Sequence, residues 1–69
     1  MKKEMDDAEK LYKDWTGAVL SEDKHRANNA YTSLRMLMER YSVEPEIFKN
    51  KPASRKQFFQ YNTNTGHIE

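Results

Sequence analysis

The side chains best suited to chemistry in this sequence are two histidines and three pairs of acidic residues. His25 and His67 lie far apart in the chain, and neither is followed by a nucleophile or by a partner that could share a metal ion. The acidic pairs are Asp6/Asp7, Glu22/Asp23 and Glu44/Glu46. Each pair stands at a predicted helix start, where carboxylates cap free N–H groups and suit the helix dipole without any catalytic role.

Composition excludes two further kinds of chemistry. The chain has no cysteine, so it forms neither a disulfide nor a thiolate metal site. It has two glycines, too few for a glycine-rich loop that binds phosphate. We therefore expect a protein that is not an enzyme and that binds no metal and no cofactor.

Residues 49–61 have the composition of a binding surface. The segment has no acidic residue, and its cations and aromatic rings form the predicted partner-binding site: Lys49, Lys51, Arg55, Lys56, Phe58, Phe59 and Tyr61. Arginine and aromatic residues dominate protein–protein contacts, whereas cations beside aromatic rings also suit phosphates and stacked bases. A third interpretation assigns the segment no partner, because Phe58 and one neighbour could close the core while the lysines stay solvated.

Charge is distributed unevenly, although the net charge is only +1. Residues 1–23 carry seven acids and four bases, whereas residues 24–56 carry eight bases and three acids. In one interpretation the oppositely charged segments orient one another within the fold. In the other, the basic half faces an acidic partner.

The sequence contains no membrane-spanning or targeting pattern. No run of eighteen apolar residues is present, so we expect no transmembrane helix. The chain begins Met1-Lys2-Lys3 and continues with acidic rather than apolar residues, which is unlike a signal or transit peptide. We expect a cytoplasmic protein, and the absence of cysteine fits a reducing compartment.

Apolar residues spaced three and four apart predict two long helices. The first stripe comprises Met5, Ala8, Leu11, Tyr12, Trp15, Ala18 and Val19, and the second comprises Ala27, Ala30, Tyr31, Leu34, Leu37, Met38 and Tyr41. Ser21, followed by two acids, predicts a helix cap after a short connection, which makes the two helices antiparallel. A single unbroken helix over residues 4–42 is the alternative. The expected core has Leu34, Leu37 and Met38 facing Leu11, Trp15 and Val19.

Pro45 and Pro52 predict two short helices after the hairpin, because proline suits a helix start and disrupts a helix interior. We place these helices at residues 45–50 and 53–61. The predicted fold is therefore all-α: an antiparallel helical hairpin of about residues 4–20 and 22–42, capped by one or two short C-terminal helices. Residues 1–61 form one small helical domain, and residues 62–69 form a flexible C-terminal tail.

The function expected from these features is that of a small non-enzymatic protein-interaction module, an adaptor or inhibitor that binds a larger protein. The lysine- and asparagine-rich composition suits an accessory protein of a phage or mobile element. The alternative is a small nucleic-acid-binding regulator that uses the basic, aromatic C-terminal segment. A homodimer is a further expectation, because a chain this short buries little surface and Met36 lies off the main apolar stripe.

Overall fold

The computed structural model describes residues 2–62 and 67–68. Four helices follow one another: α1 (Lys2–Leu20), α2 (Lys24–Tyr41), α3 (Glu46–Asn50) and α4 (Pro52–Phe59). Two short strands, β1 (Tyr61–Asn62) and β2 (His67–Ile68), pair antiparallel, with Tyr61 opposite Ile68. The long helices α1 and α2 pack along each other, and the short helices cover one side of them, which confirms the predicted all-α hairpin.

The connection between α1 and α2 consists of two helix caps that share Asp23. The N–H of Asp23 donates to the carbonyl of Ala18 at 2.9 Å, and the N–H of Glu22 donates to the carbonyl of Val19 at 3.1 Å. This pair of bonds is a Schellman motif, which satisfies the last free carbonyls of a helix. The Asp23 carboxylate then accepts the N–H of Arg26 at 3.1 Å and caps α2.

Helix α2 begins at Lys24 rather than at residue 22, and its cap is Asp23 rather than the predicted Ser21. Glu22 adopts the left-handed conformation, with φ of 58°, so the chain leaves helical geometry between α1 and α2. Ser21 still belongs to the end of α1, because its N–H donates to the carbonyl of Gly17 at 3.0 Å. The same geometry excludes a single helix over residues 4–42.

Both prolines stand at helix starts, as predicted. Pro45 is the N-cap of α3 and Pro52 is the first residue of α4. Helix α4 ends at Phe59 rather than at residue 61, because Tyr61 is already extended and paired with Ile68. The predicted flexible tail falls mainly on residues 63–66 and 69, which lie outside the described residues, and it stays a prediction.

The core is mainly aromatic and lies where the hairpin meets the short helices. Phe58 is fully buried, and its ring centroid lies 5.0 Å from that of Trp15 and 4.6 Å from that of Tyr31. Centroids this close contribute stability beyond the area that they bury. Leu34, Met38 and Trp15 are buried as predicted, whereas Leu11, Val19 and Leu37 are partly buried against the core.

Side-chain polar contacts also tie α1 to α2 and to α3. The Arg26 guanidinium donates to the Asp14 carboxylate at 2.6 Å, which joins α1 to α2 near the turn. The Glu9 carboxylate accepts a hydrogen bond from the backbone N–H of Glu46, which joins α1 to the start of α3. Within residues 2–62 and 67–68, no helix is long and apolar enough to cross a membrane.

Candidate functional site

The structure divides the seven predicted partner-binding residues into a buried and an exposed group. Phe58 is 0% exposed and Tyr61 is 5% exposed, so both rings belong to the core. Because the hairpin covers these rings, neither can contact a partner in this fold, and we remove both from the site. This agrees with the interpretation that assigned Phe58 and one neighbour to the core. The exposed residues stay candidates: Lys49, Lys51, Arg55, Lys56 and Phe59.

Tyr61 fixes the end of α4 against α2. Its hydroxyl donates to Oδ1 of Asn28 at 2.9 Å, and its ring centroid lies 5.0 Å from that of Tyr31. Burial, together with the nearby Tyr31 hydroxyl, raises the pKa of Tyr61. The residue therefore has a structural role, and it holds α4 in the position that exposes Phe59.

Phe59 is the exposed aromatic ring of the segment, with 38% of its surface open to solvent. The guanidinium carbon of Arg55 lies 4.7 Å from the ring centroid, and that of Arg35 lies 5.8 Å from it. Both distances are within the range of cation–π attraction. Arg55 is one helical turn before Phe59, whereas Arg35 comes from α2. The edge-to-face contact with Phe58, at 5.4 Å, anchors the ring to the core.

The ring of Phe59 lines an open groove with a volume of about 440 Å³, which we call the Phe59 groove. This volume is within the roughly 300–1,000 Å³ typical of ligand pockets. Its apolar lining consists of Met5, Met38, Val43 and Phe59. Its polar lining consists of Arg35, Glu39, Ser42, Glu44 and Lys49. The groove thus combines an apolar surface with charges of both signs, a combination typical of protein contacts.

The carboxylates of the groove are already paired with arginines. Glu44 accepts from Arg55 at 3.0 Å, and Glu39 lies 3.6 Å from Arg35. These ion pairs are exposed and contribute little stability, so they orient side chains rather than hold the fold. Among the ion pairs of the described residues, none involves Lys49, Lys51 or Lys56. Positive charge therefore remains available along the segment.

Of the predicted site residues, Lys49 and Phe59 line the groove, whereas the residues that α2 contributes were not predicted. Met38 and Glu39 follow Arg35 by three and four positions, so the three residues lie along one side of that helix. This spacing is a signal that the sequence did contain. The spacing could be linked to a binding site only once the position of α4 was known, because Arg35 lies on α2 and Phe59 lies on α4.

A second apolar surface runs along the outer side of α2. Met36 is 63% exposed and Tyr41 is 46% exposed, and together with Leu37 they line a shallow depression beside Ser33 and Arg40. The expected homodimer stays a prediction.

The acidic pairs and His25 only partly match the predicted helix starts: α1 begins at Lys2, so Asp6 and Asp7 lie beyond its first turn. His25 is exposed in the first turn of α2, and Asp23 caps that helix. The cap of α3 comes from Glu9 rather than from Glu44 or Glu46, because Glu44 turns instead to Arg55. Over the described part of the chain, no three His, Asp or Glu side chains cluster as metal ligands would.

Comparison of the chain with protein-family models, with curated proteins and with solved structures finds no match. A function must therefore be inferred from the surface of this molecule and from the chemistry of the residues that form it.

Proposed function

We propose that this chain is a small non-enzymatic protein-interaction module, an adaptor or inhibitor that binds a segment of a larger protein in the Phe59 groove. The observation that carries the proposal is the partly exposed ring of Phe59, which lines a groove of about 440 Å³ and lies close to two guanidinium groups. Aromatic residues and arginine are the residues most often responsible for binding energy at protein contacts.

The ring of Phe59 is also held in place by its neighbours before any partner binds. Its position is set by Phe58 at 5.4 Å and by Phe48 at 6.4 Å, both of which are buried. A side chain that is already ordered loses less conformational entropy when a partner covers it. The proposal includes a cytoplasmic location and an accessory role for a phage or mobile element, which the cysteine-free, lysine- and asparagine-rich composition supports.

Nucleic acid is the second candidate partner, favoured by one observation. Lys49, Lys51 and Lys56 are exposed, and no ion pair found in the described structure involves them. Four apolar side chains, however, line the Phe59 groove. A phosphate backbone would leave them uncovered, whereas an apolar side chain of a protein would cover them, which is why protein ranks first.

Affinity capture with matched variants tests the proposal. Immobilised wild-type protein, Phe59→Ala and Leu20→Ala are exposed to nuclease-treated lysate, and captured proteins are quantified by mass spectrometry. Leu20 is the matched control, because it is 80% exposed and lies outside the groove. We expect capture by the wild type and by Leu20→Ala, and its loss with Phe59→Ala. Equal capture by all three proteins would contradict the proposal.

Salt dependence separates the two candidate partners. If Lys49, Lys51, Arg55 and Lys56 all contacted duplex phosphates, log affinity for a random duplex would fall against log salt with a slope of about −3.6. Binding that follows this slope, and that disappears after nuclease treatment, would favour the nucleic-acid function. A protein partner anchored on Phe59 should depend less on salt, because apolar contacts are not screened.

A further inference from the structure

We infer that the segment bound in the Phe59 groove is an acidic one, in which aspartate or glutamate residues flank one or two large apolar side chains. The inference rests on the proposed function and names the chemistry of the partner. It follows from what lines the groove and from the charges that remain unpaired around it.

The apolar part of the groove suits a large apolar side chain of the partner. Met5 and Met38 line it together with Val43 and Phe59. Methionine is unbranched and polarisable, so its side chain adapts to leucine, methionine or aromatic side chains alike. A leucine or aromatic anchor from the partner would therefore be covered on several sides.

The charged part of the groove selects for carboxylates. Lys49 lines the groove, and within the described residues it takes part in no ion pair. Lys56 precedes Phe59 by three residues on α4, so both side chains lie on one face of that helix. These two ammonium groups place positive charge beside the apolar anchor, and an acidic segment complements that charge.

The two arginines add to the same preference. Arg35 and Arg55 each approach a carboxylate of the groove, at 3.6 Å and 3.0 Å respectively. A guanidinium has five N–H donors, so a single carboxylate leaves donors free for another one. Two cations, Arg35 and Lys49, and two carboxylates, Glu39 and Glu44, line the groove. Arg55, over the ring of Phe59, and Lys56, one turn before it on α4, add positive charge beside the groove. Such a surface attracts an acidic segment and repels a basic one.

Selection from a random-peptide library displayed on phage tests the inference, because it requires no identified partner. The library is selected on the wild-type protein, and enriched peptides are then synthesised with a fluorescent label for anisotropy titration. We expect the enriched peptides to be acidic and to carry a large apolar residue. Phe59→Ala should weaken their binding by about 30-fold or more, the effect of a hot-spot residue.

Charge reversal tests the electrostatic part separately. The double variant Lys49→Glu/Lys56→Glu should weaken the acidic peptides by about 10-fold or more, because like charges would then face each other. Leu20→Ala should bind like the wild type. Chemical-shift mapping on the wild-type protein should place the perturbed amides at Val43, Lys49 and Phe59, which makes the test independent of the folding of any variant.

The outcomes distinguish this inference from the proposed function. Enriched peptides that require Phe59 but are neutral or basic would overturn the acidic partner and leave the groove as the binding site. Peptides that bind independently of Phe59, or the absence of any enriched peptide, would overturn the proposed function and the inference together.

Discussion

The carboxylate of Glu9 accepts a hydrogen bond from the backbone N–H of Glu46, a residue 37 positions later in the chain. Pro45, the N-cap of α3, has no side-chain oxygen, so this short helix takes its cap from α1 instead. The contact fixes the start of α3, and with it the preceding residues Val43 and Glu44, which line the Phe59 groove. A polar contact made by α1 thus helps to shape the Phe59 groove.

Removal of this cap should destabilise the protein. Glu9→Ala should lower the free energy of unfolding by about 0.5–2 kcal/mol, the usual cost of a lost helix cap. Urea unfolding followed by circular dichroism measures the change. Lys10→Ala, an exposed change on the same helix, is the control and should stay within about 0.5 kcal/mol of the wild type. Equal stability of Glu9→Ala and wild type would show that the contact caps nothing.

Glu22→Gly should stabilise the hairpin turn. Glu22 adopts φ of 58°, a conformation that is strained for a residue with a Cβ and relaxed for glycine. We expect a gain of about 1 kcal/mol in the free energy of unfolding. Ser21→Gly is the matched control and should bring no gain, since among the described residues only Glu22 and Ser42 have a positive φ without being glycine. A loss of stability in Glu22→Gly would contradict this account of the turn.

Leu34→Ala should be strongly destabilising, because Leu34 is fully buried in the core. The loss expected from the cavity is about 2–5 kcal/mol, a large fraction of the stability of so small a domain. Leu34→Asp should abolish the cooperative thermal transition. Leu20→Ala, at a site 80% exposed, should leave the midpoint nearly unchanged. A Leu34→Asp melt that matches the wild type would remove this residue from the core.

Stability should fall at high pH because of Tyr61. Burial, with Tyr31 nearby, raises the pKa of Tyr61 in the folded protein. A raised pKa favours folding below the unfolded value, and this contribution is lost as pH rises through the folded value. The free energy of unfolding should therefore decline above about pH 10, by at most ~1.4 kcal/mol per pH unit from this group. Tyr61→Phe should decline less steeply in urea unfolding across that range, and parallel curves would contradict the prediction.

Self-association is expected through the outer side of α2, where Met36 and Tyr41 are exposed. A dimer is stabilised by mass action, so the midpoint temperature should rise with protein concentration. Met36→Asp should remove this dependence without unfolding the monomer. A concentration-independent midpoint together with a monomer mass by sedimentation would reject the dimer.

The sequence by itself determined the helices of this protein. Apolar residues at spacings of three and four defined α1 and α2, and the two prolines marked the starts of the short helices. These signals are local, because a helix depends on residues within a few positions of one another and on the absence of an N–H at proline. The start of α2 shifted because the two caps share Asp23, and the end of α4 shifted because Tyr61 pairs with Ile68. Propensity alone does not resolve either geometry.

Only the tertiary structure decided which residues of the C-terminal segment face solvent. Phe58 and Phe59 are neighbours of the same type, and α4 places them on different sides, so burial of one rather than the other depends on how that helix docks. Docking against Trp15 and Tyr31 buries Phe58 and leaves Phe59 beside Arg35, which is distant in the chain. The groove forms where helices pack against each other. Packing brings together residues that are far apart in the chain, and no periodic pattern in the sequence predicts such contacts.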